Sequence, residues 1–299
     1  MAIGRAGGRE YTGPVTDLIA DLRPDTEVEG VFACTKKQKL AARNGTPYLS
    51  VELRDASGRI GARAFRDATF LASQFERGDI VQVAGRVESF QNEHQINLRT
   101  IKRAEGLDID PTQFLPTAYR DIDELEGFFE HLVTEVHDPG YSQMLSVLLG
   151  DSVLREGLRT APCTIGGHHA YLGGLLEHTV AVATLAKETW DLHRRLDSDL
   201  LITAALLHDI GKVREFEYGA EIVLTDAGGM LGHLELGAQI VRELAIAAGG
   251  IARERELALL NCVLSHHGVP GGGSAFATAE ALALYRINSL DAGVKGYLE

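Results

Sequence analysis

Two different spacings of apolar and polar positions divide this chain. Between Glu27 and Lys102 apolar residues alternate with polar ones in short runs. VEGVFAC (28–34), YLSVELRD (48–55), RIGARAF (59–65), DIVQVAGRVESF (79–90) and HQINLRTI (94–101) predict five strands. Asn44-Gly45 ahead of the second strand and Asp55-Ala56-Ser57-Gly58 between the second and third supply turn chemistry. RDATFLASQFERGD (66–79) predicts a short helix between strands three and four. Five strands with one helix after the third is the order of an OB-fold β-barrel. KKQKLAARNG (36–45) is expected to be its first inter-strand loop.

Residues 103–119, RAEGLDIDPTQFLPTAY, carry two prolines and no period, which predicts a linker. Everything after it reads as helix. The runs are DIDELEGFFEHLVTEV with Asp121 as N-cap, YSQMLSVLLGD, HAYLGGLLEHTVAVATLAKETWDLHRRL, DSDLLITAALLHDIGK, GHLELGAQIVRELAIAAGG, ARERELALLNCVLSHHG and FATAEALALYRINSLDAG. Most close on glycine, the usual helix stop, and VPGGGS (269–274) reads as a flexible loop. The expectation is an N-terminal barrel over 12–104, a linker over 105–120 and a C-terminal all-α domain over 121–299.

Composition agrees with a two-domain globular protein: 299 residues, 45% hydrophobic. Cys34, Cys163 and Cys262 form no CxxC pair and read as reduced, buried thiols. MAIGRAGGREYTG lacks an apolar signal core, and no run approaches a membrane span, so a soluble cytoplasmic protein is expected. The net charge of −13 argues against wholesale coating of nucleic acid, but it is unevenly placed. Residues 1–110 hold 16 basic and 16 acidic side chains, and the remainder holds 13 and 26.

A neutral barrel and an acidic helical half suggest two tasks. On the barrel, Lys36, Lys37, Lys39 and Arg43 lie in the first loop, and Tyr48, Arg63, Phe65 and Arg66 lie on or beside strands two and three. Cations for phosphates with aromatics for stacking are what a single-strand binder needs; core packing and an ordinary solvated loop are the competing explanation.

In the helical half, the apolar run Leu200–Leu207 ends abruptly in His208-Asp209, with Lys212 one turn on. Charged groups rarely stay in such surroundings unless paired or bound to a metal. His168-His169 are expected to open one helix, with His178 ten residues later. His233 begins another helix, and His266-His267 end the next. One such histidine is usually a satisfied core residue; several on successive helices are better explained by a metal using their lone pairs. Adjacent His208 and Asp209 project ~100° apart on a helix, so both can reach a metal only off the helix end. Imidazole with carboxylate suits Mn, Fe, Co or Zn.

The ordered set H…HD…H…HH resembles the HD-domain metal-dependent phosphohydrolases. HHAYLGGLLEHTVAVA, LLHDIGK, LGHLELG, LSHHG and EALALYRINSLDA, behind an OB-fold, resemble the YhaM family of 3′→5′ exoribonucleases from about Val28 onward. The resemblance implies single-stranded RNA as the substrate class, with single-stranded DNA open, and release of nucleoside 5′-monophosphates by metal-activated water. It implies two divalent ions, Mn²⁺ first among them, with Mg²⁺, Co²⁺, Fe²⁺ and Zn²⁺ as alternatives. His178, His208 and Asp209 match ligands of one ion, with Asp209 bridging, and His233, His266 and His267 match ligands of the other. Lys212 matches a lysine that contacts the scissile phosphate, so His208, Asp209 and Lys212 form the expected catalytic group. His168, His169 and Glu280 match positions near the cleft with no assigned role.

The chain departs from the family in its last helix, where Ile-Asp-x-Leu-Asp is the usual pattern and Ile287-Asn288-Ser289-Leu290-Asp291 stands here. Asn288 offers a carbonyl oxygen but no charge to the first ion. Weaker metal binding, replacement by Asp291 and an inactivating change are all open. Two other readings therefore stand beside the exonuclease: an HD enzyme acting on a small nucleotide, and a non-catalytic single-strand binder. A homo-oligomer is also open.

Overall fold

A computed structural model describes residues 18–42, 45–90, 93–104, 111–269 and 276–299. Arg43, Asn44, the barrel residues 12–17, the linker residues 105–110 and 270–274 of the expected flexible loop lie outside the described residues. The chain divides into two compact units, Met1–Leu115 and Pro116–Glu299.

The first unit is a barrel of β1 (Glu27–Ala41), β2 (Pro47–Asp55), β3 (Gly58–Ala64), β4 (Ile80–Phe90) and β5 (Glu93–Arg103), with α1 (Ala68–Ala72) between β3 and β4. It closes in the order β1-β2-β3-β5-β4, with β3 and β5 parallel. Phe32 on β1, Leu49 and Leu53 on β2, and Ile96 and Ile101 on β5 are buried in its core, with alternation clearest along β3 and β4. Asp55 makes the tight β2–β3 turn, its Oδ1 accepting from the N–H groups of Ser57 (2.8 Å) and Gly58 (3.1 Å). One expectation is corrected. KKQKLA is not a loop but the second half of β1. A register shift at Cys34/Lys36 lets β1 pair with β4 as far as Ala33 and with β2 from there to Ala41. Such a bulge bends one long strand around the barrel, and its exposed polar half looks like a loop in sequence.

The second unit packs helices around one apolar core. α2 (Ile122–Thr134), α3 (Pro139–Gly150) and α4 (Ser152–Thr160) each begin at an aspartate, Asp121, Asp138 and Asp151, whose carboxylate accepts two backbone N–H groups. α5 (Gly174–Leu192) and α6 (Ser198–Leu207) follow, and every residue of α6 from Leu200 onward is buried. α7 (Lys212–Glu215), α8 (Asp226–Ala247), α9 (Arg253–Ser265) and α10 (Ala279–Leu298) complete the unit.

The uniformly helical expectation is corrected in two places. Phe216–Tyr218 (β6) and Ile222–Leu224 (β7) form a two-stranded hairpin between α7 and α8. His168 and His169 do not open a helix; they sit in a turn that precedes α5, with His169 in the left-handed region at φ 54°. That turn is tied down by the Cys163 N–H donating to the His169 carbonyl at 3.0 Å. α8 is broken at Gly232, whose φ of 69° and ψ of 165° no helix accommodates, so a new helical segment starts at His233. Among the described residues, no helix is long and apolar enough to cross a membrane.

Candidate metal centre

Four histidines present their Nε2 atoms to one place because something else holds Nδ1. His208 caps α6, and its Nδ1–H donates to the Ala205 carbonyl at 2.8 Å. His266 caps α9 and repeats the device with the Val263 carbonyl at 2.7 Å. A carbonyl only accepts, so each of these rings carries its proton on Nδ1 and a lone pair on Nε2. His178, on α5, places Nδ1 2.6 Å from Asp291 Oδ2. His233 places Nδ1 3.2 Å from Glu215 Oε1, which also accepts the His233 backbone N–H at 2.9 Å. Carboxylate or carbonyl behind an imidazole is the usual support of a metal ligand.

Asp209 stands where the histidines meet. α6 ends at Leu207, and in the turn that follows the two neighbours converge: His208 Nε2 is 3.4 Å from Asp209 Oδ2. His178 Nε2 lies 3.5 Å from the same oxygen, 3.1 Å from His208 Nε2 and 3.0 Å from Asn288 Oδ1. The other oxygen, Oδ1, is 3.3 Å from His266 Nε2 and 3.7 Å from His233 Nε2, and His233 Nε2 is 3.0 Å from His267 Nε2. Two sets of donors thus share one carboxylate, His178, His208 and Asn288 on Oδ2 and His233, His266 and His267 on Oδ1. Gly211 allows this. It packs against the backbone of α8, where a Cβ would come within 2.0 Å of the His233 carbonyl.

Burial sets the protonation states. It depresses the His178 and His208 pKa values and pushes His266 down to about 4 and His267 to about 3, so the imidazoles are neutral. Burial alone would raise Asp209, but the ammonium of Lys212 and the imidazole of His208 hold it well below the usual carboxylate range. Lys212 Nζ donates to Asp209 Oδ2 at 2.6 Å and to Cys163 Sγ at 3.3 Å. Burial disfavours that ammonium, yet Asp209 raises its pKa above the usual lysine value.

These donors fit a divalent cation. Asp209 Oδ1 and His266 Nε2 are buried without a hydrogen-bond partner. Orphaned acceptors of this kind are costly unless an ion uses them. The Nε2 lone pairs of His178 and His208 face each other at 3.1 Å, and His233 Nε2 stands 3.0 Å from His267 Nε2. Two nitrogens ~2.0–2.1 Å from a common ion stand roughly 3.0–3.4 Å apart, which matches.

The remaining residues singled out in the sequence separate into those at the centre and those elsewhere. Asn288 is at the centre: its Nδ2 donates to the His266 carbonyl at 3.2 Å, which turns Oδ1 towards His178. Asp291 is behind His178, clamped between its Nδ1 and His169 Nε2 at 3.3 Å, and does not face the Nε2 side. His169 is held in turn by Tyr171 Oη, 2.9 Å from Nδ1. His168 is half-buried with its ring 5.6 Å from that of His178. Glu280 is away from the cluster, its Oε1 accepting the Asp197 N–H at the start of α6. Sequence reasoning did not single out Glu215 and read Cys163 only as a buried thiol. A Glu three residues after a lysine and a lone cysteine carry no local signal of what they touch.

On the barrel, Tyr48 and Phe65 stack with ring centroids 5.3 Å apart, and Phe65 is half exposed. Arg63 lies over the ring of Phe90, a half-exposed aromatic that the strand pattern did not single out. Lys36 pairs with Glu52 and Lys37 with Glu76, whereas Lys39 and Arg66 are exposed.

Residues 175–293 match the HD domain family, and residues 31–104 match the OB-fold nucleic acid binding domain family. The 3′-5′ exoribonuclease YhaM of Oceanobacillus iheyensis is 30% identical over 271 residues, 89% of this chain and 84% of that one. The Bacillus velezensis protein of the same name is 32% identical over 275 residues, 89% and 85% of the two chains. The Bacillus subtilis protein is 31% identical over 273 residues, again 89% and 85%. An HD domain with this His/Asp cluster binds a divalent metal.

Proposed function

The chain belongs to the YhaM family of 3′→5′ exoribonucleases, and from that premise we infer a metal-dependent nuclease that shortens single-stranded RNA from its 3′ end. We propose that it uses two divalent ions, manganese first among the candidates, and works in the cytoplasm. The observation that carries the reading is the single buried carboxylate of Asp209 presented to two sets of imidazoles, with Oδ1 left without a partner. His178, His208, Asn288 and Asp209 would hold one ion; His233, His266, His267 and Asp209 would hold the other. A cation held by these residues would supply Lewis acidity to phosphoryl oxygens and a lowered pKa to a water nucleophile, chemistry that suits hydrolysis of a terminal phosphodiester to a nucleoside 5′-monophosphate.

The protein's own residues supply orientation and charge. Ala205, Val263, Asp291 and Glu215 fix the tautomers, so the four supported rings need no rearrangement to act as ligands. Lys212 stays charged and sets a fixed positive end beside the cluster, suited to a phosphoryl oxygen. On the barrel, Tyr48 with Phe65 and Arg63 with Phe90 offer stacking surfaces for unpaired bases, and Lys39 and Arg66 offer charge for phosphates. Stacking tolerates any sequence, as suits a nuclease that removes successive nucleotides whatever the base; single-stranded DNA is a second candidate substrate.

The test is a 5′-labelled single-stranded RNA incubated with Mn²⁺ and the full chain, beside His208→Ala and Asp209→Ala. The expected result is a ladder shortening from the 3′ end, lost in both variants. Cleavage of mononucleotides with the oligomer intact would favour a small-nucleotide enzyme instead. Binding of RNA with no shortening would favour a non-catalytic binder.

A further inference from the structure

The two donor sets are not equivalent, and the difference lies in what already neutralises Asp209. Oδ2 accepts a charge-assisted hydrogen bond from Lys212 Nζ at 2.6 Å. Oδ1 has no partner, and neither has His266 Nε2 beside it. The donor that joins His178 and His208 is the neutral amide oxygen of Asn288, locked by its bond to the His266 carbonyl. The Oδ2 set therefore holds two neutral rings, a neutral amide and a carboxylate oxygen already facing an ammonium. The Oδ1 set holds three imidazoles and the uncompensated oxygen. A cation entering the Oδ2 set meets the Lys212 charge in a buried, weakly screening environment, where charge repulsion is far larger than in water. His267, exposed on the Oδ1 side, also leaves that set open to solvent.

We propose that the two ions bind in a fixed order: the first to His233, His266, His267 and Asp209 Oδ1, the second, markedly weaker, to His178, His208, Asn288 and Asp209 Oδ2. This rests on the two-ion reading above. Lys212 and Asn288 together make the second ion exchangeable, so occupancy of that position follows the free concentration of the metal. The chain would hold one resident ion and take up the other as metal becomes available.

The experiment is a titration of the metal-free full chain with Mn²⁺, read by calorimetry and by electron paramagnetic resonance. The expected result is one tight equivalent with the spectrum of an isolated ion, then a second at least about tenfold weaker that brings spin coupling. Asn288→Asp adds a charge to the Oδ2 set, and Lys212→Met removes the opposing one. Each should tighten the second equivalent at least about tenfold and change the first less than about threefold. His266→Ala should remove the tight equivalent, and His178→Ala should spare it. Two equally tight equivalents, or loss of the tight one in His178→Ala but not in His266→Ala, would overturn the order and leave the two-ion centre standing. No binding, or binding indifferent to both alanine variants, would overturn the centre itself.

Discussion

Gly211→Ala tests how the centre is assembled with the addition of one methyl group. Gly211 has an ordinary φ of −60°, so alanine would adopt its backbone conformation without strain. The need for glycine is steric. An added Cβ would meet the His233 carbonyl oxygen at 2.0 Å and the Gly237 nitrogen at 2.5 Å. Both are backbone atoms of α8 and cannot swing aside as a side chain could. Relief to an ordinary contact requires α7 and α8 to part by roughly 1.4 Å, a strain of the kind that overpacked cores show, about 1–3 kcal/mol. For a unit of this size that lowers the melting temperature by about 2–4 °C per kcal/mol. The same displacement carries His233 from Asp209 Oδ1, already 3.7 Å away, and should cost roughly 10–100-fold in metal affinity. Thermal melts of the metal-free chain followed by Mn²⁺ titration measure both effects. Gly229→Ala is the control, because its Cβ would meet nothing within 4 Å and it sits in the same helix. If Gly211→Ala melts with wild type and binds Mn²⁺ within twofold, the close approach of α7 to α8 does not build this site.

Three further outcomes follow from the same geometry. Asp291→Asn should lower metal affinity at the His178 side at least about tenfold with little change in melting. An amide N–H can donate to Nδ1 and move the ring proton to Nε2, and unchanged binding would show that the tautomer is not set by Asp291. In the metal-free chain, His266 and His267 have folded pKa values of about 4 and 3 against an ordinary 6.5, so the unfolded chain binds more protons between those limits. Stability should be full above about pH 6.5 and fall as the pH drops towards 4, less steeply in His266→Ala; a melting temperature flat across that range would refute the assignment. Phe65→Ala should weaken binding of single-stranded RNA by about 1–3 kcal/mol, read by fluorescence anisotropy, and equal affinity would remove Phe65 from the stacking surface.

What could be read from the sequence depended on whether the cause was local. Alternating strands, the Asp121 cap and the apolar run of α6 are decided by neighbours a few positions apart, and there pattern and structure agree. The histidines were legible because imidazoles recurring in apolar surroundings need an explanation. The misreadings are places where a distant partner decides. The polar half of β1 is a strand because β2 pairs with it. His168 and His169 leave the helix because the turn is fastened to Cys163 and Asp291. Asp291 could be placed near the cleft by its position in α10, but not behind His178 as opposed to beside Asn288. That distinction is a matter of rotation about one helix, and it decides the charge of the centre. An aspartate on the Nε2 side would add a second carboxylate to the ion's surroundings. Held on the Nδ1 side, Asp291 spends its charge on orienting two imidazoles, and Asp209 is left as the carboxylate that faces both donor sets. A centre with one shared carboxylate, one opposing ammonium and no second carboxylate among its donors is a weak trap for a second cation. The division of labour between Asp209 and Asp291 therefore fixes how the protein responds to metal supply, and it follows from hydrogen bonds that span more than a hundred residues of chain.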